Sequence, residues 1–589
     1  MPTETFPVSV FDMVSGAAPE LSHRPYAPEA SAGCACAVCQ GFAVVDDGGS
    51  SGQGYLNADV RGAFTSGKPS FTIDRAAKQL TGFDPDTGQP YGGWGTVGQA
   101  FTVTYAFRST QPATMPSDTE GFSRFNAAQI THAELALQAW SDVARITFVR
   151  VGSGTFGEAA YSNNAAILFG NYSSGEEGAA AFANYPGNTS AGSNSGDIWI
   201  NNSIGYNASP SFENRGPHVV LHEIGHAIGL AHPGDYNADA TSSFTYGEDA
   251  EYYEDSRQYT VMSYFSESNT GASFGGRYAA APMLDDIAGA QIEYGANMTT
   301  RTGDTVYGFN STADRAWYAA TSASSRLVFA VWDAGGADTL DFSGYAAGQL
   351  IDLREGFFSN VGGLTGNVAI AKGAVIENAK GGASGDTING NAAANAMFGG
   401  GGGDTLTGFE GRDYLRGEDG DDSLVGGAGF DDLHGNLGND VVVGGDTEDW
   451  VVGGQGNDRL YGDEGHDVVL GNLGADTVEG GVGNDVVRGG QGNDSLLGGD
   501  GWDYLAGDRG DDTITGGAGM DTFHTFSGAG LDRVTDFNYG EGDRVNVLAG
   551  SSYTTYQSGA DTIVDMGAGD RIVLVGVQLS SLPAGWVFS

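Results

Sequence analysis

Cysteine is nearly missing from this 589-residue chain: there are three, Cys34, Cys36 and Cys39, all inside the stretch GCACAVC. The bulk of the chain therefore holds its fold without disulfides, whatever compartment it works in. Basic side chains are scarce as well. Lys and Arg total 26 against 74 Asp and Glu, a formal charge of −48. So acidic a chain lacks the cationic surface that neutralises phosphates, which argues against nucleic acid or anionic membrane as a partner. No run approaches the ~18 apolar residues of a membrane span, so no membrane insertion is expected. The opening MPTETFPVSVFDMVSG has no basic segment followed by an apolar one, and a Sec signal peptide is not expected.

Glycine, by contrast, is abundant: 98 residues, about twice the usual share of roughly 7%. Ordinary packing does not need so many positions without a Cβ, which points to a turn-dense repeat. The length suits two or more domains. Residues 1–55 carry the cysteine cluster and then VVDDGGSSGQG, and read as an extension or propeptide ending in a flexible linker. Residues 56–295 have a globular composition. A helical period fits 74–80 and 130–146, the latter carrying Leu135, Ala139, Val143 and Ile146. Strand-like runs occupy 100–107, 146–151, 165–172 and 197–202, so an α+β domain is expected. Residues 296–380 form a β-rich connection, 381–526 the repeats, and 527–589 a C-terminal β cap.

Stepping nine residues at a time from Asp386 reaches sixteen positions ending at 521. Fifteen are aspartate: Asp386, Asp404, Asp413, Asp422, Asp431, Asp440, Asp449, Asp458, Asp467, Asp476, Asp485, Asp494, Asp503, Asp512 and Asp521; the other is Asn395. Two residues after each stands an apolar one, from Ile388 to Phe523, and no insertion breaks the frame. A disordered acidic tail would not keep apolar phase in this way. Six residues of the type GGxGxD make a turn, and the remaining three, x-U-x, make a minimal strand with U inward. Stacking the turns lines up carboxylates without matching base. Calcium, a hard cation that accepts carboxylate and carbonyl oxygens together, resolves that repulsion. The pattern is that of the RTX nonapeptide, and the expected structure is a right-handed parallel β-roll with roughly one Ca²⁺ per repeat.

The second motif is HEIGHAIGLAH, residues 222–232. His222 and His226, four apart, project from one face of a helix, and Pro217 fits its first turn. Gly229 can end the helix with positive φ and turn the chain back, so that His232 completes a three-nitrogen site. Three imidazoles and an open position suit one catalytic Zn²⁺, and zinc lowers the pKa of a water there toward ~7. Glu223, beside His222, is placed to take that proton and pass it to the leaving amine. YTVMSYF follows, with Met262 as a methionine turn under the histidines and Tyr264 as a further zinc ligand or oxyanion donor. His218 reads as a supporting residue of the first turn. His132, His434, His466 and His524 have no partner at metal spacing.

These residues, together with GKPSFTIDRAAKQLT, LQAWSDVARITF, PMLDDIAGAQIEYGAN, GDTVYGFNS and WDAGGADTLDFSG, give a chain that resembles the serralysins, secreted RTX metzincins also called alkaline metalloproteases. The resemblance implies zinc on His222, His226, His232 and Tyr264, with Glu223 as acid/base and Tyr264 switching between zinc and the transition state. It implies calcium at Arg301, Gly303, Thr305, Asp333, Gly335, Gly336 and Asp338, and at Glu377 with Asp386. A family threonine is Val375 here, which matters little if the ligand is a carbonyl. The resemblance further implies protein substrates, a type I secretion apparatus reading an uncleaved C-terminal signal within 527–589, a proteinaceous inhibitor as partner, a monomer, and an extracellular location. The final PAGWVFS lacks the acidic residue that often precedes the family's apolar end. GCACAVC departs from the family. It reads as a latency device, with a thiolate of Cys34, Cys36 or Cys39 on the zinc; a disulfide with a spare thiol, a separate metal site and an incidental cluster are the alternatives. AFANYPG (181–187) is a candidate edge for an extended substrate, or an ordinary loop. The competing function is an RTX adhesin or matrix protein with an inactive protease-like domain, and retention of Glu223 with all three histidines speaks for the enzyme.

Overall fold

The computed structural model describes residues 55–589 apart from 63, 66, 83–91, 117–118, 176–179, 188–194 and 237–243. Cys34, Cys36 and Cys39 lie outside the described residues, and with them the latency reading.

The first half of the described chain is built on a five-stranded sheet in the order Ile146–Arg150, Phe101–Phe107, Ile167–Tyr172, Ile198–Asn201, Ala181–Ala183. The first four strands are parallel and the last is antiparallel to its neighbour. The helix Ala127–Val143 begins three residues before the periodicity expected. Asn126 and Gln129 cap it reciprocally, each side chain accepting the other's backbone N–H at 3.0 and 2.9 Å. It stops at Val143 because Ala144 swings to extended backbone, and Ile146 belongs to the next strand. Of the expected stripe, Ala139, Val143 and Ile146 are buried and Leu135 is half-buried; Trp140 joins the core side, its indole N–H donating to Leu221 O at 3.1 Å.

The second half is a parallel β-roll. Two thirteen-stranded sheets run side by side, and through the repeats successive strands alternate between them. Each strand therefore pairs with the one 18 residues on, as Met397 with Leu415 and Leu406 with Leu424. One nonapeptide is half a coil. All sixteen inward apolar residues are at most 2% exposed. Most of the repeat strands are six residues long rather than three: Thr405–Glu410 pairs through its first three residues, skips Gly408, and pairs again through Phe409 and Glu410. The expected x-U-x is the first part of each strand. The glycine bends the backbone, and the start of the next turn resumes the ladder. The sheets also run beyond the repeats, from Val306–Gly308 at one end to Val587–Phe588 at the other.

Candidate metal centre

The helix Gly216–Ala227 is buried along its whole length and carries Pro217 in its first turn. Past its end, Leu230 N–H donates to Gly225 O and Gly229 N–H to His226 O, both at 2.9 Å. This is a Schellman closure with glycine at the left-handed position, φ 107°. A Cβ at Gly229 would also come within 2.8 Å of Gly93 Cα. Gly229→Ala should therefore cost more than the ~1–3 kcal/mol of backbone strain alone, seen as a lower melting temperature and as weakened metal binding, because His232 depends on this turn.

The reversal brings three imidazoles together. His226 Nε2 lies 3.0 Å from His232 Nε2, which lies 3.4 Å from His222 Nε2. The opposite nitrogens each face a carbonyl: His222 Nδ1 to Val261 O at 2.8 Å, His226 Nδ1 to Leu230 O at 2.7 Å, and His232 Nδ1 to Tyr236 O at 3.1 Å. A carbonyl only accepts, so each Nδ1 carries the hydrogen and each Nε2 presents its lone pair. Burial pushes His226 down to about 4, and burial with the neighbouring His226 and His232 holds His222 well below the ordinary value. His222 and His226 are thus neutral ligands. Three converging lone pairs repel unless a cation lies among them, and three nitrogens of this kind fit zinc.

Glu223 is fully buried beside His222. Tyr264, also buried, has its ring 4.5 Å from that of His232. Met262 packs under the helix: a Cβ on Gly225 would come within 2.5 Å of Met262 Sδ. Sequence reasoning passed over the residues that hold these parts. Asp286 accepts from Thr260 Oγ1 at 2.6 Å, Val261 N at 2.7 Å and Met283 N at 2.9 Å, and so pins the methionine turn. Asp255 accepts from Tyr236 Oη at 2.7 Å and Ser263 Oγ at 2.6 Å, steadying both the residue that receives His232 and the one before Tyr264. The only signal was the acidic pair in PMLDDIAG. His218 lies apart from the three, its Nδ1 at 3.4 Å from Ala279 O. His132 packs on Phe212, His434 meets Asp432, His466 accepts from Asn484 N, and His524 stacks on Tyr504.

The roll aspartates form two columns. Each from Asp386 to Asp503 donates its N–H to Oδ1 of the aspartate 18 residues on, typically at 2.8 Å, as Asp404 to Asp422. Asn395 takes its place in the column by donating to Asp413. The second oxygen, Oδ2, of every aspartate from Asp404 to Asp521 is buried without a partner. Burial pushes these carboxyls up, Asp404 to about 7 and Asp449 to about 8. Asp386 differs in that its Oδ2 accepts from Gly382 N. The columns extend one step past the nine-residue frame. Asp521 donates to Asp543 at 3.1 Å, and Asp532 precedes Arg533, the partner of Thr513. Both Asp532 oxygens are buried without a hydrogen bond. Insertions here change the step, so a fixed count misses both residues.

A further oxygen cluster joins the two halves. Asp333 Oδ1 accepts from Gly335 N at 3.0 Å, Asp338 Oδ1 from Thr305 N at 2.8 Å, and Glu377 Oε2 from Asp338 N at 2.8 Å. A Cβ on Gly336 would sit 2.8 Å from Gly303 O and 2.9 Å from Asp338 Oδ1. Arg301 sends its side chain to Asp142 and Tyr307, leaving its carbonyl as the donor it can offer a cation.

No helix of the described residues is long and apolar enough to cross a membrane. A groove of about 750 Å³ on the outside of the roll shares no residue with the histidine centre.

Residues 296–581 match the family model for the peptidase M10 serralysin C terminal, and residues 112–273 that for metallo-peptidase family M12. Serralysin C of Dickeya chrysanthemi is 49% identical over 56% of this chain and 66% of its own length. Metalloprotease AprA of Pseudomonas entomophila is 47% identical over 60% of this chain and 72% of its own, and metallopeptidase AprA of Pseudomonas marginalis 47% over 56% and 68%. The chain thus spans about two thirds of the length of the curated relatives it matches. A solved extracellular lipase LipA from Serratia marcescens aligns with 35% of this chain and 40% of its own at 18% identity and a TM-score of 0.18, too little to bear on the fold. With its three-histidine centre, its β-roll and relatives at nearly half identity, the chain belongs to the serralysin family of zinc metalloendopeptidases.

Proposed function

We propose that this chain is an exported endopeptidase that cuts proteins at the His222–His226–His232 centre and is stabilised by calcium on its roll. The observation that carries the catalytic part is the convergence of three imidazole Nε2 atoms, at 3.0 and 3.4 Å, next to buried Glu223. Zinc bound there supplies a Lewis acid for the scissile carbonyl and acidifies a water. Glu223 takes the proton of the attacking water and returns it to the leaving amine. Tyr264, against His232, ligates or donates to the oxyanion. Both roles need a dry, ordered site, which burial of the whole helix supplies.

The substrate is held as an added strand. Ala181–Ala183 is the edge of its sheet: Phe182 pairs with Trp199, and Asn184 N donates to Asp197 O at 3.0 Å. The alternate residues Ala181, Ala183 and Tyr185 therefore turn their backbone groups away from Ile198–Asn201, with Ala181 and Ala183 buried. The Tyr185 ring stands 5.3 Å from that of His226, so a peptide laid on this edge reaches the centre.

Calcium occupies the oxygens left without partners, the Oδ2 columns of Asp404 to Asp521, with Asp386 opening the roll. The cluster of Arg301, Gly303, Thr305, Asp333, Gly335, Gly336, Asp338 and Glu377 takes it at the junction. A roll that needs calcium suits export unfolded from a calcium-poor cytosol through a type I apparatus.

The test is casein hydrolysis in millimolar calcium with a zinc-selective chelator. Activity should vanish and return when zinc is restored; activity that survives zinc removal would sink the proposal.

A further inference from the structure

The segment Leu56–Arg61 has no role in the chemistry above, yet it grips the loop under the histidines at two points. Leu56 N–H donates to Tyr259 Oη at 2.7 Å, and that hydroxyl lies 3.0 Å from Leu56 O. Arg61, its side chain fully buried, forks onto Asp285 with both terminal nitrogens at 2.9 Å. Its Nε–H donates to Phe71 O at 2.9 Å, and its guanidinium lies 5.0 Å over the Tyr259 ring. Asp285 and Tyr259 are themselves joined, Asp285 N to Tyr259 O at 3.0 Å. One residue further along each strand of this junction, Asp286 receives Thr260 and Val261, and Val261 O receives His222 Nδ1 at 2.8 Å.

We infer that Arg61 is a positioning residue of the metal centre, fixing through Asp285, Tyr259, Asp286 and Val261 the direction in which His222 presents its Nε2. The inference deepens the metalloprotease reading and rests on it. A buried ion pair is a poor way to gain stability, since two well-packed apolar side chains of similar volume hold a core as well or better. What a bidentate guanidinium adds is orientation, through planar geometry that lysine does not reproduce. Here the fork ties the segment Leu56–Arg61 to the helix Leu284–Tyr294 at the residue next to the one holding the methionine turn. The carbonyl that orients His222 is thus set by a contact 161 positions away from that histidine in sequence. The same geometry requires that any processing of the N-terminal extension leave Leu56 to Arg61 in place.

The test compares wild type with Arg61→Lys and with the double variant Arg61→Met, Asp285→Asn, which removes both charges of the pair at nearly unchanged side-chain size and leaves Glu254, 3.8 Å from Arg61 Nε, in place. The readouts are melting temperature, kcat and KM on a peptide, and the rate at which zinc passes to a coloured chelator. Loss of groups that orient a metal ligand typically costs about 10–100-fold in affinity or activity. The double variant should melt below wild type, because buried Glu254 loses its neighbouring cation, lose kcat by that factor at unchanged KM, and release zinc faster by a similar factor. Arg61→Lys should fall between. A double variant with wild-type kcat and zinc release overturns the inference, leaving Arg61 as a mere counter-charge. Should the double variant not fold, wild-type zinc release from Arg61→Lys overturns it equally. Failure of the wild type to cut peptide would instead strike the metalloprotease reading, while the zinc-release comparison still reports on Arg61.

Discussion

Replacing Glu223 by glutamine should lower kcat on casein by about 10²–10⁴-fold, with zinc still bound. Glutamine keeps the size and the buried position of Glu223 and cannot take a proton. The three imidazoles are oriented by Val261, Leu230 and Tyr236, none of which depends on the Glu223 carboxylate, so the metal site itself should survive. Zinc content by atomic absorption and kcat from initial rates separate the two effects. A variant with more than a tenth of wild-type kcat would remove Glu223 from the chemistry. A variant that lost its zinc would make Glu223 a structural residue.

Calcium removal should have the larger structural effect. In excess chelator at pH 8, residues 386–521 should lose their strand signal in circular dichroism and become open to proteolysis, and millimolar calcium should restore both. The roll buries one inward apolar side chain per nine residues, a thin core. Against it stand fourteen Oδ2 atoms, from Asp404 to Asp521, buried without partners. Burial raises the carboxyls that hold them, to about 6 at Asp422, about 7 at Asp440 and about 8 at Asp449. A carboxyl raised in the folded state favours folding below its unfolded value of ~4, and that contribution is lost as pH rises through the folded value. Without calcium, lowering the pH from 8 toward 5 should therefore recover part of the strand signal. With calcium, charge is met by charge and the fold should hold at pH 8. Full strand content in chelator at pH 8 would show that the columns need no cation.

Much of the site was legible before any coordinates. The motif HEIGHAIGLAH lies within a few turns of one helix and one reversal, so spacing alone places three of its side chains on a common point. The aspartate frame was legible for the same reason: a solenoid repeats its local geometry, so phase in the chain is phase in space. Where that locality ends, the reading weakened. Asp532 and Asp543 continue the columns, but insertions hide them from a nine-residue count. On the helix Ala127–Val143 most of the expected stripe is buried, but the contact of Trp140 with Leu221 lies 81 positions away and spacing does not reveal it.

The sequence by itself determined the family, the zinc-site residues proposed here and the period of the roll, because each is written in short spacings that the backbone converts directly into position. Only the tertiary structure decided what holds those parts still. Asp286 on the methionine turn, Asp255 on Tyr236 and Arg61 on Asp285 are contacts between segments far apart in the chain. Such contacts leave no periodic trace, because the partner of a buried charge is chosen by packing in three dimensions and not by its neighbours in sequence.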